Sequence, residues 1–373
     1  MGGANLSDGH ARQDIGPYLT VVERLPAIFT DAGGARVRDV EERFEDAFFT
    51  YGGQLSAVRL KPPLYNYACS LSIEVVANFL RLNGLSASLI HPTFDNLADI
   101  LKGAGVELRS LDQERLTCGF DAGRGIPTDA VFLVCPNNPT GQSLTRHQFE
   151  RIARSCAQRG KLLIVDFSFR FYSSLVEWDQ YEILVDAGGD FIALEDTGKT
   201  WPTLDLKVGL TLASDRVYDG LLEVHEDLVL NVSPFTLGLL SECIGIDAAL
   251  DGLGSAQRTV EENRAILRAL LADTPLTMAN EGSTISVEWV RLPSGWRSPD
   301  LCDWLTANDV HVLPGMPFYW DRPALGESFI RVALARSPEK FAHSASELAR
   351  LVSEFATRRA ASRSSPSFAP GAR

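Results

Sequence analysis

From residue 70 onward the apolar positions follow two alternating periods, and each change of period marks a new element. Ile73, Val76, Ala77 and Leu80 recur at three- and four-residue spacing, which predicts a helix over 70–82 closed by Asn83-Gly84. The run 86–90 predicts a strand, 94–102 a helix, and 106–111 and 130–135 two further strands, each bounded by turn residues. Thr145 and Gln148 form a capping-box signature ahead of a helix whose apolar face is Phe149, Ile152, Ala153 and Cys156, with Gly160 after its end. Strands follow at "KLLIVD", ending on Asp166, at 191–196 and at 208–214. Their continuously apolar centres are those of strands covered on both faces. This order predicts an α/β domain on a mostly parallel sheet.

Past about residue 260 the pattern changes to a helix and then "STISVEWVRL", "DVHVLPGMPFYW" and "SFIRVALAR" alternating with helices, the signature of a smaller α+β domain. The expected organisation is an N-terminal segment and small-domain start over 1–30, a large domain over 31–260 and a small domain over 261–358. Residues 359–373, rich in Ser, Ala, Pro and Arg, are expected to form a disordered tail.

Composition narrows the partners. With 48 acidic and 35 basic residues the net charge is -13, which weighs against a nucleic-acid backbone or an anionic membrane surface. The six cysteines are far apart and form no C-x-x-C pair, so neither a zinc site nor a disulfide framework is expected, and no metal is assigned. No apolar run approaches the ~18 residues of a membrane span, and the polar N-terminus has no signal-peptide core. A soluble, cytoplasmic chain that binds a small molecule is the expectation.

In an open α/β sheet, ligands bind outside the carboxyl ends of the strands. Three polar clusters stand at such ends: "PNNPTG" after 130–135, Asp166 itself, and "EDTGK" with Lys199. Singly, each has an ordinary explanation as a turn, a cap or a solvated charge. Together, in this order and spacing, they resemble the fold-type I pyridoxal-phosphate enzymes of the aspartate-aminotransferase superfamily, over roughly residues 60–335.

That resemblance implies pyridoxal 5'-phosphate as cofactor, a homodimer, and a set of roles. Lys199 is the lysine that bonds the cofactor, Asp166 faces its ring nitrogen, Asn138 its phenolic oxygen, and Phe94 stacks on its ring. Cys69 and Ser70 at a helix start, Thr197 and Lys207 meet the phosphate, and Arg331 of "FIRVALA" holds a substrate α-carboxylate. The physical logic agrees. A nucleophilic lysine must be neutral part of the time, which burial or nearby positive charge favours. A ring nitrogen stays protonated beside a carboxylate. Helix N-termini attract phosphate, and an arginine fork fits a carboxylate.

Two departures separate the chain from a routine aminotransferase. Phe169 stands where a tyrosine often donates to the phenolic oxygen, and Asp196 stands in a segment usually written Ser-x-Ser-Lys. A closer resemblance covers nearly the whole chain: "SDGHARQ", "HPTFDN", "CPNNPTG", "SFR" and "EDTGKTWPTLDLK" look like the pyridoxal-phosphate-dependent arginine oxidases and hydroxylases. It implies L-arginine as substrate and dioxygen as electron acceptor, with no flavin or metal. It also implies an N-terminal lid in which Asp8, together with Asp196, meets the guanidinium and His10 lies near the oxygen chemistry. A conventional aminotransferase shares every cofactor residue and is the first rival. A noncatalytic sensor is the second, and the acidic balance weighs against a DNA-binding one.

Overall fold

The computed structural model describes residues 4–250 and 254–364. Its centre is a seven-stranded sheet: β1 Leu64–Asn66, β2 Ala87–His91, β3 Leu108–Asp112, β4 Ala130–Val134, β5 Leu162–Asp166, β6 Phe191–Asp196 and β7 Gly209–Ala213. The order across the sheet is β1-β7-β6-β5-β4-β2-β3. The five strands from β6 to β3 run parallel, whereas β7 and β1 are antiparallel to their neighbours. Strands β4, β5 and β6 are buried along their whole length, as their unbroken apolar runs require. The Thr145–Gln148 capping box forms in full at the start of the helix Arg146–Gln158. The helix Cys69–Leu82 buries Ile73, Val76, Ala77 and Leu80 as its spacing predicts.

A four-stranded antiparallel sheet from Thr277–Met278, Val287–Arg291, Leu313–Pro314 and Phe329–Ala333 supports a second core with the helices Ser255–Leu271 and Pro338–Ser364. Leu6, Phe169 and Tyr172 also belong to this second core, so the segment following β5 lies where the two cores meet.

The N-terminal thirty residues divide between the two bodies. Ala4–Asn5 pairs in parallel with Val310–His311, which does start the smaller body. From Tyr18 on, however, the chain packs on the large core: Tyr18, Val21 and Ile28 are buried there, and the helix Leu25–Gly34 lies on the helix Pro234–Ala248. At the other end, 359–364 continue the helix Pro338–Ser364 instead of beginning a disordered tail. The run Arg358-Arg359-Ala360-Ala361 consists of strong helix formers, and an existing helix extends far more easily than a new one nucleates. The rest of the expected tail, 365–373, lies outside the described residues.

No helix among the described residues is long and apolar enough to cross a membrane.

Candidate active site

The carboxyl ends of β2, β4, β5 and β6 open into one cavity of about 450 Å3, the size of a small-molecule site. Of the twelve residues singled out from the sequence, eleven line it: Asp8, His10, Cys69, Ser70, Phe94, Asn138, Asp166, Asp196, Lys199, Lys207 and Arg331. The parallel register brings them together, because Asp166 pairs with Val134 on one side and Leu194 on the other.

Thr197 is the exception. It is fully buried, its hydroxyl donates to the Val208 carbonyl at 3.1 Å and accepts from the Val208 N–H at 2.8 Å. Both hydrogen-bonding functions are used to close the loop between β6 and β7, so Thr197 is a structural bridge and not a phosphate donor.

Asp166 is buried at the end of β5. Its Oδ1 accepts from the Ser168 N–H at 2.8 Å and the Ser168 hydroxyl at 2.5 Å, while Oδ2 has no hydrogen-bond partner among the described residues. Burial pushes its carboxyl up to about 6, against the lowering effect of Ser168. A carboxyl raised above its ordinary 3.8 stabilises the fold below that value, and the contribution is lost as pH rises through about 6. Cofactor-free protein is therefore expected to melt lower above pH 6 than below it from this group. Asp166→Asn should flatten that step, and melting curves on either side of pH 6 measure it.

Lys199 Nζ makes no hydrogen bond or ion pair within the described residues, whereas its backbone is tightly held. Lys207, by contrast, is engaged: its Nζ lies 3.1 Å from His10 Nε2 and 3.4 Å from Asp205 Oδ1. Because an ammonium only donates, His10 Nε2 accepts and Nδ1 carries the proton toward Asp8 Oδ1, 2.5 Å away. The His10 hydrogen bond holds the Asp8 carboxyl well below the usual carboxylate range despite its partial burial. Arg12 Nε reaches the other Asp8 oxygen at 3.3 Å. Between the two lysines, Leu204 and Asp205 both adopt positive φ, 54° and 66°, a conformation that side-chain-bearing residues occupy only when their surroundings enforce it.

Arg331 is buried beneath the N-terminal segment. It donates to Asn138 Oδ1 at 3.2 Å and to the Ser7 carbonyl at 2.7 Å, and its Nε has no partner. Burial lowers the guanidinium to about 10, with Asp95 and Asp8 acting the other way. The neighbouring Arg336, which the sequence reading did not single out, grips the same segment by its carbonyls: Asn5 through Nε at 3.1 Å, Asp8 through Nη2 at 2.6 Å and His10 through Nη1 at 3.3 Å. Ser168, Tyr172 and Gln13 were likewise not assigned as site residues. Ser168, two positions after the strand-end aspartate, and Gln13, the last residue of "SDGHARQ", carry a local signal.

These residues suit a phosphorylated pyridine aldehyde on several independent counts. The helix Cys69–Leu82 starts at Ala68, which offers no side-chain cap, so its first N–H groups are left for another acceptor. Gly209 lets that helix start lie directly on the sheet, since a Cβ there would stand 2.8 Å from the Cys69 nitrogen. Lys207 supplies a cation to the same cavity, the unpartnered Lys199 amine follows β6, and a free carboxylate oxygen stands at the end of β5.

Known proteins agree with this geometry. The family described as aminotransferase class I and II matches residues 67–348. The chain belongs to that family. Its members depend on pyridoxal 5'-phosphate, and the seven-stranded, mostly parallel sheet is the fold-type I architecture. Among curated proteins, the mitochondrial aspartate aminotransferase of Dictyostelium discoideum is 26% identical over 179 residues, 45% of this chain and 42% of that one. A threonine-phosphate decarboxylase of Sinorhizobium sp is 27% identical over 182 residues, 45% of this chain and 51% of that one. The chain thus spans about half the length of these curated relatives. Among solved structures, MppP soaked with the product 2-ketoarginine superposes with a TM-score of 0.88 at 33% identity, over 93% of this chain and 99% of that one. LysN, the α-aminoadipate aminotransferase of Thermus thermophilus, reaches 0.76 at 15% identity over 95% and 93%, a likeness of fold.

Proposed function

We propose that this family member is a pyridoxal-phosphate-dependent oxidase of free L-arginine that uses dioxygen as electron acceptor. The observation that carries the reading is the mixed charge of the cavity lining: the buried guanidinium of Arg331 and the carboxylates of Asp8 and Asp196 share it with Lys199. A molecule that carries both a carboxylate and a cation matches that lining. Likeness to MppP, a structure of which was soaked with the product 2-ketoarginine, supports arginine in particular. The overall balance is L-arginine, dioxygen and water to 2-ketoarginine, ammonium and hydrogen peroxide. The substrate's Cα–N bond is oxidised to an imine, water cleaves it, and dioxygen takes up two electrons and two protons.

When bound, the cofactor supplies a conjugated ring that accepts electron density from the substrate's α-carbon. The protein residues have separable tasks. Asp166, through its free oxygen, holds a proton on the ring nitrogen. Lys199 Nζ takes the proton from the α-carbon, an assignment its unpartnered amine supports. Asn138 and Arg331 are already coupled at 3.2 Å, so the group that orients the cofactor also aligns the arginine fork. Phe169, without a hydroxyl, leaves the cofactor's phenolic oxygen one donor poorer than a tyrosine would. His10, between Asp8 and Lys207, is placed to move a proton along the cavity wall.

The apolar residues Tyr67, Leu204, Leu206 and Leu230 are exposed, and Leu204 and Leu206 belong to the loop joining the two site lysines. Covering them with a second copy is the homodimer we propose. The six unpaired cysteines support a reducing, cytoplasmic setting.

An oxygen electrode tests the reaction. Arginine-dependent oxygen uptake without a keto-acid acceptor is expected, whereas strict dependence on an acceptor would make the chain a transferase. Product mass under labelled dioxygen separates oxidation from hydroxylation. Asp8→Ala and Asp196→Ser are each expected to lower kcat/KM for arginine about ten- to hundredfold, the loss of one charge-assisted hydrogen bond. Citrulline, whose side chain is neutral, should show little further loss in either variant. Equal losses for both substrates would remove the carboxylates from guanidinium recognition.

A further inference from the structure

Three consecutive carbonyls around Lys199 are each held by a donor from outside the loop. The Gly198 carbonyl accepts from the Ala11 N–H at 3.3 Å. The Lys199 carbonyl accepts from the Tyr172 hydroxyl at 2.7 Å. The Thr200 carbonyl accepts from the Gln13 side-chain amide, Nε2, at 2.7 Å. Gln13 and Tyr172 are both buried, so neither donor has water to replace it. A second tie lies just behind: Tyr18 Oη and Trp201 Nε1 both donate to buried Asp247, each at 3.0 Å from Oδ2.

The stretch 11–18 is therefore the back wall of the lysine loop, while residues 7–10 of the same segment line the cavity. We infer that Gln13 and Tyr172 are positioning residues that fix the backbone on which Lys199 is carried. Through Gln13 they link that backbone to the segment bearing Asp8 and His10. The inference rests on the reading of Lys199 as the cofactor lysine. Its physical basis is lever length. The lysine amine ends a flexible four-carbon stem, so its reach is only as well defined as the peptide from which it springs. The Lys199 carbonyl and the next one, Thr200, are pinned by these two side chains, and the Gly198 carbonyl before them by the Ala11 N–H. Gln13 Oε1 has no partner in the described residues, which leaves the amide's donor half as its one polar contact.

The test uses holoenzyme without substrate. Gln13→Met keeps length and volume but donates nothing, and Tyr172→Phe removes a single oxygen. In each, the dissociation constant of pyridoxal phosphate is expected to rise about three- to tenfold, the equivalent of one neutral hydrogen bond. The pH midpoint of the lysine-bound cofactor's visible absorbance should move as well, because the amine is no longer held at one distance from the ring. Gln13→Glu, which donates again when its carboxyl is protonated, should recover the wild-type spectrum as pH falls. A Lys199-dependent absorbance whose midpoint and cofactor affinity equal those of wild type in both variants would overturn the inference, whatever happens to the melting temperature. An absorbance that persists in Lys199→Ala would instead overturn the reading beneath it.

Discussion

Lys199→Ala is expected to erase the visible absorbance of lysine-bound cofactor and to lower arginine turnover by at least about 10^3-fold, within the range that one positioned proton-transfer group contributes. Two lysines face the cavity, and their surroundings assign the roles. Lys207 is occupied by His10 and Asp205, whereas Lys199 has no partner for its amine among the described residues. A cation already held by protein groups is suited to grip phosphate, whereas an amine with no protein partner is left available to bond the cofactor. Lys199→Arg separates charge from chemistry. Arginine retains the positive charge but does not deprotonate in proteins, so it should be as inactive as alanine. Lys207→Ala should instead weaken cofactor binding and leave the absorbance intact once the site is saturated. If the band survived in Lys199→Ala and disappeared in Lys207→Ala, the two assignments would have to be exchanged.

What was legible in the chain is what local chemistry determines. The capping box at Thr145 and Gln148 lies within one turn, and the strand ends that carry Asp166 and Asp196 follow from unbroken apolar runs. Asn138, Asp166 and Lys199 were legible because a parallel sheet gathers the carboxyl ends of adjacent strands, so spacing along the chain becomes proximity in space. Thr197 misled because a threonine at a strand end has two possible fates, and only the partner strand decides between them. Here Val208 claims the hydroxyl. The roles of Gln13, the last residue of "SDGHARQ", and of Arg336 are not legible in the sequence for a related reason. Their partners, Thr200 for one and Asn5, Asp8 and His10 for the other, lie far along the chain, and those partners are backbone carbonyls that any residue supplies. The N-terminal helices were misplaced because their apolar residues would serve either core. Position near the chain end said nothing of which one Ile28 joins.

Arg331 carries the second large effect. Arg331→Ala is expected to lower kcat/KM for arginine by about 10^2- to 10^3-fold, the range for truncating one partner of a buried, hydrogen-bonded charge pair. The guanidinium is buried, its Nε is unpaired, and one of its bonds goes to the Ser7 carbonyl, a neutral acceptor. A carboxylate satisfies such a fork better than a peptide oxygen does, since both of its oxygens are charged and lie in the plane of the donors. Desolvation already lowers the guanidinium's proton affinity, so an anion at this place relieves a penalty present in the resting protein. The same reasoning predicts that Arg331→Met leaves the cofactor-free fold as stable as wild type or more so, because it removes a buried charge with an unsatisfied donor. Agmatine, which is arginine without the carboxylate, isolates the contribution. Wild type should prefer arginine strongly, and in Arg331→Ala the ratio of kcat/KM for the two compounds should collapse toward unity. A ratio unchanged by the substitution would assign the carboxylate to another group, and Arg336, whose donors now hold the N-terminal segment, would be the next residue to replace.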